Sequence, residues 1–423
     1  MSYNQSTITR ILDPIIDVSN NRVTWHLPNQ TILSPDIKML NIGAILSTGA
    51  AARAYNRFSG GISLIKNIYL TSNGVTVDQL LDANSWVAFK ESMKSHSEAE
   101  SLSRNLVGNA LGLIIADDDK IGHAIDPKPL TDTLATSGKC MISLGDLLPF
   151  LKSSTMVPTT VYTNLRITIE YDTSMSIVAN INTNSLTAMS TPFLVVEEML
   201  DDGFIQKATA DYRGLGFMAI ERDQMFVDTT TTSLSGVEFN EPNSHSLQSR
   251  AFQNKYVSRI VVAPKATNPL AYSTGTTGVT GGGGLGAIAL LEPKFNVVVN
   301  GSNKVAGQGL VGSTEIAARL MDTWSQVSTI PTQAYTTGLF HSEDVYSASK
   351  HFAGYMGWLG LSINEFVQSL YINIDYTAQL DADTRAVEEQ WARLNTNYNL
   401  VAFAECRKSI VVRPDRSFMV SYM

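Results

Sequence analysis

The sequence predicts an all-β protein made of two similar halves, and three observations carry that prediction. A seven-residue alternating pattern occurs twice, each time downstream of an apolar run that ends in Asn-Gly. Short runs rich in Val, Ile, Thr and aromatic residues recur between turn clusters along most of the chain. Only 17% of the 423 residues are charged, below the roughly 25% usual in soluble proteins. The deficit is filled by Thr, Ser, Asn and Gly, the residues of turns and long connections.

The alternating pattern is LRITIEY (Leu165 to Tyr171), repeated 205 positions later as LYINIDY (Leu370 to Tyr376). Side chains on a strand point to opposite faces in turn, so Leu165, Ile167, Ile169 and Tyr171 share one face with Arg166, Thr168 and Glu170 on the other. Leu370, Ile372, Ile374 and Tyr376 do the same in the second copy. Upstream, IKNIYLTSNG (Ile65 to Gly74) and KFNVVVNG (Lys294 to Gly301) each run into Asn-Gly, which tolerates positive φ at both central positions of a hairpin turn. A segment with helical character and a tryptophan comes after each turn: VDQLLDANSWVAFKESM around Trp86, and STEIAARLMDTW ending at Trp324. The order is kept while loop lengths vary, the pattern of a duplicated β-scaffold with surface insertions.

Further strands are expected at Arg22 to Leu27, Ile37 to Leu46, Lys139 to Leu144 and Phe193 to Met199 in the first half. In the second half they are expected at Leu215 to Ile220, Tyr256 to Pro264, Asn399 to Arg407 and Phe418 to Met423, with a closing hairpin around Pro414-Asp415. Helices are expected at Glu343 to Met356 and at Thr384 to Leu394, the latter from Val387, Trp391 and Leu394 at helical spacing. The halves divide near Asp201-Asp202-Gly203, giving domains 1–203 and 204–423.

A net charge of −8 with no basic cluster denser than Arg407-Lys408 argues against direct, sequence-specific nucleic-acid binding. The first twenty residues lack a signal pattern, and the most apolar stretch, Ala110 to Ala116, is far short of a membrane span. Cys140 and Cys406 are too few for a disulfide framework or a zinc site, which suits a reducing compartment.

Every enzyme-like pattern is weak. Tyr346 and Lys350 form a Tyr-x-x-x-Lys pair resembling the active-site helix of short-chain dehydrogenases, in which the Lys lowers the Tyr pKa. The upstream serine position holds Gln333, and Thr48 to Ala54 lacks the glycines of a dinucleotide turn. Gly281 to Gly286 formally contains GxGxxG, but a low-complexity loop precedes it and Pro293 interrupts the segment after it. Asp117-Asp118-Asp119 lacks calcium-loop spacing. Glu197-Glu198 and Asp201-Asp202 are candidate interface cation ligands, but adjacent strand residues point apart. His26, His96, His123, His245, His341 and His351 show no ligand spacing, and the five tryptophans are dispersed as core or interface anchors. No catalytic, cofactor-binding or metal site is expected.

In GISLIKNIYLTSNG (Gly61 to Gly74), KFNVVVNG, LYINIDY and Val401 to Tyr422, the chain resembles the double jelly-roll major capsid proteins of double-stranded DNA viruses. It looks most like the small-virus members, those of polinton-like viruses and virophages. The resemblance implies two consecutive eight-stranded antiparallel jelly rolls with a few short helices in loops. It also implies a pseudo-hexagonal homotrimer tiling the faces of an icosahedral virion, assembled inside the host cell. Its expected partners are other copies, a separate vertex (penton) protein and minor capsid or cement proteins. The rival readings are a β-sandwich fibre, adhesin or carbohydrate-binding protein and, more remotely, an oxidoreductase using Tyr346 and Lys350.

Overall fold

The fold is described from a computed structural model, for residues 7–17, 21–42, 44–46, 53–55, 61–92, 129–130, 140–171, 178–179, 186–189, 191–228, 243–266, 289–291, 294–305, 309–311, 319, 322–324, 359–376, 378–385, 391–394 and 398–423. The first half supplies β1 (Thr7–Leu12), β2 (Arg22–His26), β3 (Lys38–Ile42), β4 (Ile65–Ser72), β5 (Val75–Leu81), β6 (Cys140–Ser143), β7 (Leu165–Tyr171) and β8 (Phe193–Met199). The second supplies β9 (Gly214–Val227), β10 (Asn243–Ser249), β11 (Lys255–Ala266), β12 (Lys294–Val299), β13 (Ser302–Asn303), β14 (Leu359–Val367), β15 (Leu370–Tyr376) and β16 (Tyr398–Val412). A closing strand, β17 (Phe418–Tyr422), folds back on β16.

In the first half, β1–β8–β3–β6 form one antiparallel sheet and β2–β7–β4–β5 another. In the second half the orders are β9–β16–β11–β14 and β10–β15–β12–β13. Adding eight to each label of the first half reproduces the second. Four principal strands per sheet in these orders, with shorter strands added at the margins, make a jelly roll, so the chain folds as two successive rolls. In each, the sheet with the first and last strands is here the terminal sheet, and the one with the Asn-Gly turn the hairpin sheet.

The repeated motifs occupy equivalent places. Both β7 and β15 bury alternate residues in the same order, with Leu165, Ile167 and Ile169 matched by Leu370, Ile372 and Ile374. Both turns take left-handed backbone at two successive residues, Asn73 (φ 49°) with Gly74 (φ 81°) and Asn300 (φ 51°) with Gly301 (φ 78°). Such turns match the twist of the flanking strands. The solvent sides of the hairpin sheets carry matched polar cross-strand pairs. Thr24 meets Thr168 at 3.1 Å and Arg22 pairs with Glu170, while Ser246 donates to Asn373 at 2.6 Å and Ser244 to Asp375.

Long connections leave from one end of each roll. Segments from three of them, Arg53–Tyr55, Pro129–Leu130 and Val178–Ala179, join into a small sheet above the first roll. Ala289–Leu291, Ala378–Arg385 and Trp391–Leu394 do so above the second. The helix expected over Thr384–Leu394 is therefore corrected: its described residues are strands, because pairing with neighbouring strands overrides a helical spacing carried by only three apolar residues. Likewise Val75–Leu81 is the return strand of the hairpin, and α1 (Ala83–Ser92) begins only after it. Two more helices, α2 (Pro149–Ser153) and α3 (Asp202–Asp211), were not expected. Proline at the first position starts α2, and Asp201 caps α3 by accepting from the Phe204 N–H at 3.1 Å. Tyr346, Lys350, Gly281 to Gly286 and Asp117 to Asp119 lie outside the described residues.

Candidate functional site at the seam between the rolls

The hydrophobic interior of the second roll is self-contained. Its terminal and hairpin sheets meet through Val262, Leu400 and Ala402 on one side and Phe295, Val297 and Ile372 on the other. The first roll's interior does not end at its own walls. One apolar cluster runs from Trp25, Ile68 and Ile167 across a seam to Ile220, Val261, Ala263, Val401 and Phe403 of the second roll. Strand register explains how one sheet serves two cores. Ile220, Arg222 and Gln224 face the same side as Glu405, Phe403 and Val401, while Ala402 and Ala404 point the opposite way. The second terminal sheet is thus buried on both faces, which is why IVVAP and LVAFA read as unbroken apolar runs.

Aromatic side chains fill the seam. Trp86 of α1 stands 5.4 Å from Phe403 and 5.5 Å from Trp324, and Phe89 lies 5.3 Å from Trp324 in an edge-on contact. The Trp324 indole donates to the Ile260 carbonyl at 2.8 Å. Arg259 stacks on Trp324 at 4.1 Å and makes a two-pronged bond to Glu405 at 2.7 and 2.8 Å. At the other end of the seam Phe150 of α2 meets Phe217 at 5.7 Å, and Tyr162 shares a 2.9 Å hydrogen bond with Tyr212. Trp86 and Trp324, the two tryptophans downstream of the Asn-Gly turns, thus meet as interface anchors.

Charges lock the aromatic seam in register. Asp82, in left-handed backbone just after β5, accepts from Lys265 at 2.8 Å and pairs with Arg222 at 3.2 Å. Burial works against its charge, but the two cations outweigh it and hold the carboxyl below its ordinary range. Asp78 is fully buried. It accepts from the Phe150 N–H at 2.8 Å and the Gln79 N–H at 2.9 Å, yet desolvation dominates and its pKa is pushed up to about 7. Facing it, Lys408 is buried against the Phe217 and Tyr422 rings, and burial pulls its pKa down. Glu221 pairs with Lys255 at 3.0 Å and accepts from the Tyr422 hydroxyl.

The sequence alone picks out the tryptophans but not Asp78, Asp82, Arg222 or Lys265. The legible signal was the unbroken apolar run on β11 and β16, which asks for a partner on each face. Of the candidate cation ligands, Glu198 pairs with Arg10 at 2.6 Å and Asp201 is spent on the helix cap. No group of three or more metal-type ligands occurs among the described residues. Every strand pairing among them is antiparallel, unlike the parallel sheet of a dinucleotide-binding domain.

No family model and no curated protein matches the sequence. Solved structures do match the fold. PBCV-1 VP54, in a crystal structure fitted into a cryo-EM reconstruction of the virophage Sputnik, is similar with a TM-score of 0.58 at 10% identity, over 100% of this chain and 98% of that one. The mavirus major capsid protein is similar with a TM-score of 0.52 at 11% identity, over 99% and 90% of the two chains. The Sputnik virophage structure solved by cryo-EM gives 0.52 at 12% identity, over 99% and 88%. The fold they share with this chain is that of the double jelly-roll major capsid proteins.

Proposed function

We propose that this chain is a major capsid protein that acts by self-association, as a pseudo-hexagonal homotrimer tiling the faces of an icosahedral virion. The observation that carries this reading is the repetition of one strand order in both sheets of both rolls, on a fold shared along nearly the whole length of the capsid proteins named above. Two like rolls per chain give a threefold assembly six similar lobes, which lets it occupy sixfold positions in a lattice. The rolls form units 1–203 and 204–423, with the boundary falling in the first turn of α3. On this reading the protein resides in the virion, assembled inside the host cell, and works without catalysis. A separate vertex protein and minor or cement proteins complete the shell. Negative-stain images of the purified protein test the reading: six-lobed plates or closed particles are expected, and a monodisperse single chain would refute it.

A further inference from the structure

In an Asn-Gly pair the asparagine amide closes readily on the next backbone nitrogen, because glycine has no Cβ to hinder the approach. The sequence contains the pair twice, at Asn73-Gly74 and Asn300-Gly301. The two turns are alike in what sets their backbone. All four residues are exposed, the φ angles are 49° and 81° in the first and 51° and 78° in the second, and a Cβ at either glycine would meet no atom within 4 Å. They differ in what holds the asparagine side chain.

Asn300 is tied to backbone. Its Oδ1 accepts from the Gln368 and Ser369 N–H groups at 2.7 and 3.1 Å, and its Nδ2 donates to the Phe366 carbonyl at 2.8 Å. Those partners sit where β14 turns into β15, held by strand pairing on both sides. Asn73 occupies the equivalent place but is tied to side chains. Its Nδ2 donates to Thr163 Oγ1, and its Oδ1 accepts from Asn164 Nδ2 at 2.9 Å. Both partners are exposed, and each releases the amide by a change of rotamer.

We infer that Asn73 is a site of spontaneous deamidation in the folded chain and that Asn300, its twin, is protected. The Gly74 backbone nitrogen, losing its proton to hydroxide, attacks Asn73 Cγ. The N–Cγ bond forms, the Cγ–Nδ2 bond breaks and ammonia leaves, giving a cyclic imide. Water then opens either carbonyl of the ring, yielding aspartate or isoaspartate. The attack needs the amide out of its hydrogen bonds and the backbone out of the left-handed turn. The second requirement is common to both turns, so the first sets the difference. Either product places a negative charge in the turn between β4 and β5, and isoaspartate also lengthens the backbone there by one carbon.

Peptide mapping by mass spectrometry tests this on the full chain, incubated folded at mildly alkaline pH beside a sample in concentrated urea. In the folded chain, conversion at Asn73 is expected to outpace Asn300 by at least about fivefold, the factor that one further hydrogen bond of ordinary strength is worth. In urea the two sites should react at similar rates. Thr163→Val combined with Asn164→Gly removes both side-chain partners while suiting the left-handed backbone at 164 (φ 52°). With the fold checked by circular dichroism, this variant should speed conversion at Asn73 and leave Asn300 unchanged. The inference is overturned if Asn300 converts as fast as Asn73, or if neither converts in the folded chain while both do in urea. It is equally overturned if the preference for Asn73 persists undiminished in urea, or if the double variant leaves the Asn73 rate unmoved.

Discussion

The two terminal sheets have the same strand order, yet one is buried on both faces and the other on one. β11 and β16 of the second roll lie between two cores, and their apolar residues continue without alternation through Val401 to Ala404. β8 of the first roll has the same character in Phe193 to Val196, but its outward residues remain partly exposed in the single chain. An unbroken apolar strand therefore does not by itself report how many of its faces the same chain covers.

The largest effect is expected from truncation at the seam. Trp86→Ala should cost about 4 kcal/mol in urea unfolding, through lost burial and the cavity left against Phe403 and Trp324. Ile11→Ala, on the uncovered face, should stay within about 0.5 kcal/mol for chains too dilute to assemble. Equal costs would undo the contrast between the two sheets. Next in size is Asp82→Ala, which leaves Lys265 and Arg222 facing each other in a largely dry seam and should cost about 3 kcal/mol. A double-mutant cycle with Lys265→Met should recover part of that loss.

Asp78 makes the covered sheet sensitive to pH. Its folded pKa, about 7, lies above the roughly 4 of an unfolded aspartate, so the folded state holds the proton more tightly. Its contribution to stability is complete below about pH 4 and declines as pH rises through about 7. Asp78→Asn should flatten the fall in melting temperature over that window, at the cost of one backbone hydrogen bond, about 1 kcal/mol. A slope unchanged by the substitution would place the titration elsewhere. The smallest effect should be the same in both rolls. A Cβ at Gly74 or Gly301 meets no neighbouring atom, so Gly74→Ala and Gly301→Ala should each cost about 1 kcal/mol from left-handed backbone alone. Unequal losses would show that the turns are not equivalent.

Much of the architecture was legible because it is local. Period-two alternation in β7 and β15 fixed their inward faces, and Asn-Gly fixed both hairpins. The seam was less legible because its partners lie far apart in sequence: Asp82 meets Lys265, and Trp86 meets Phe403, only once both rolls have formed. The strand residues Thr384, Arg385 and Trp391–Leu394 read as a helix for a related reason. A short apolar spacing cannot report the strand pairing that overrides it. The helix cap at Asp201 was readable in principle, with Ile205 and Thr209 buried one turn apart behind it, but two adjacent acid pairs read as readily as cation ligands.

Both rolls place their tight Asn-Gly turns opposite the end that carries their long connections. The molecule therefore separates its tight turns from its long connections, one set at each end of the rolls. A foreign peptide grafted at the end that carries the small sheet of Arg53–Tyr55, Pro129–Leu130 and Val178–Ala179 would leave the walls, and any lattice they build, unchanged in dimension.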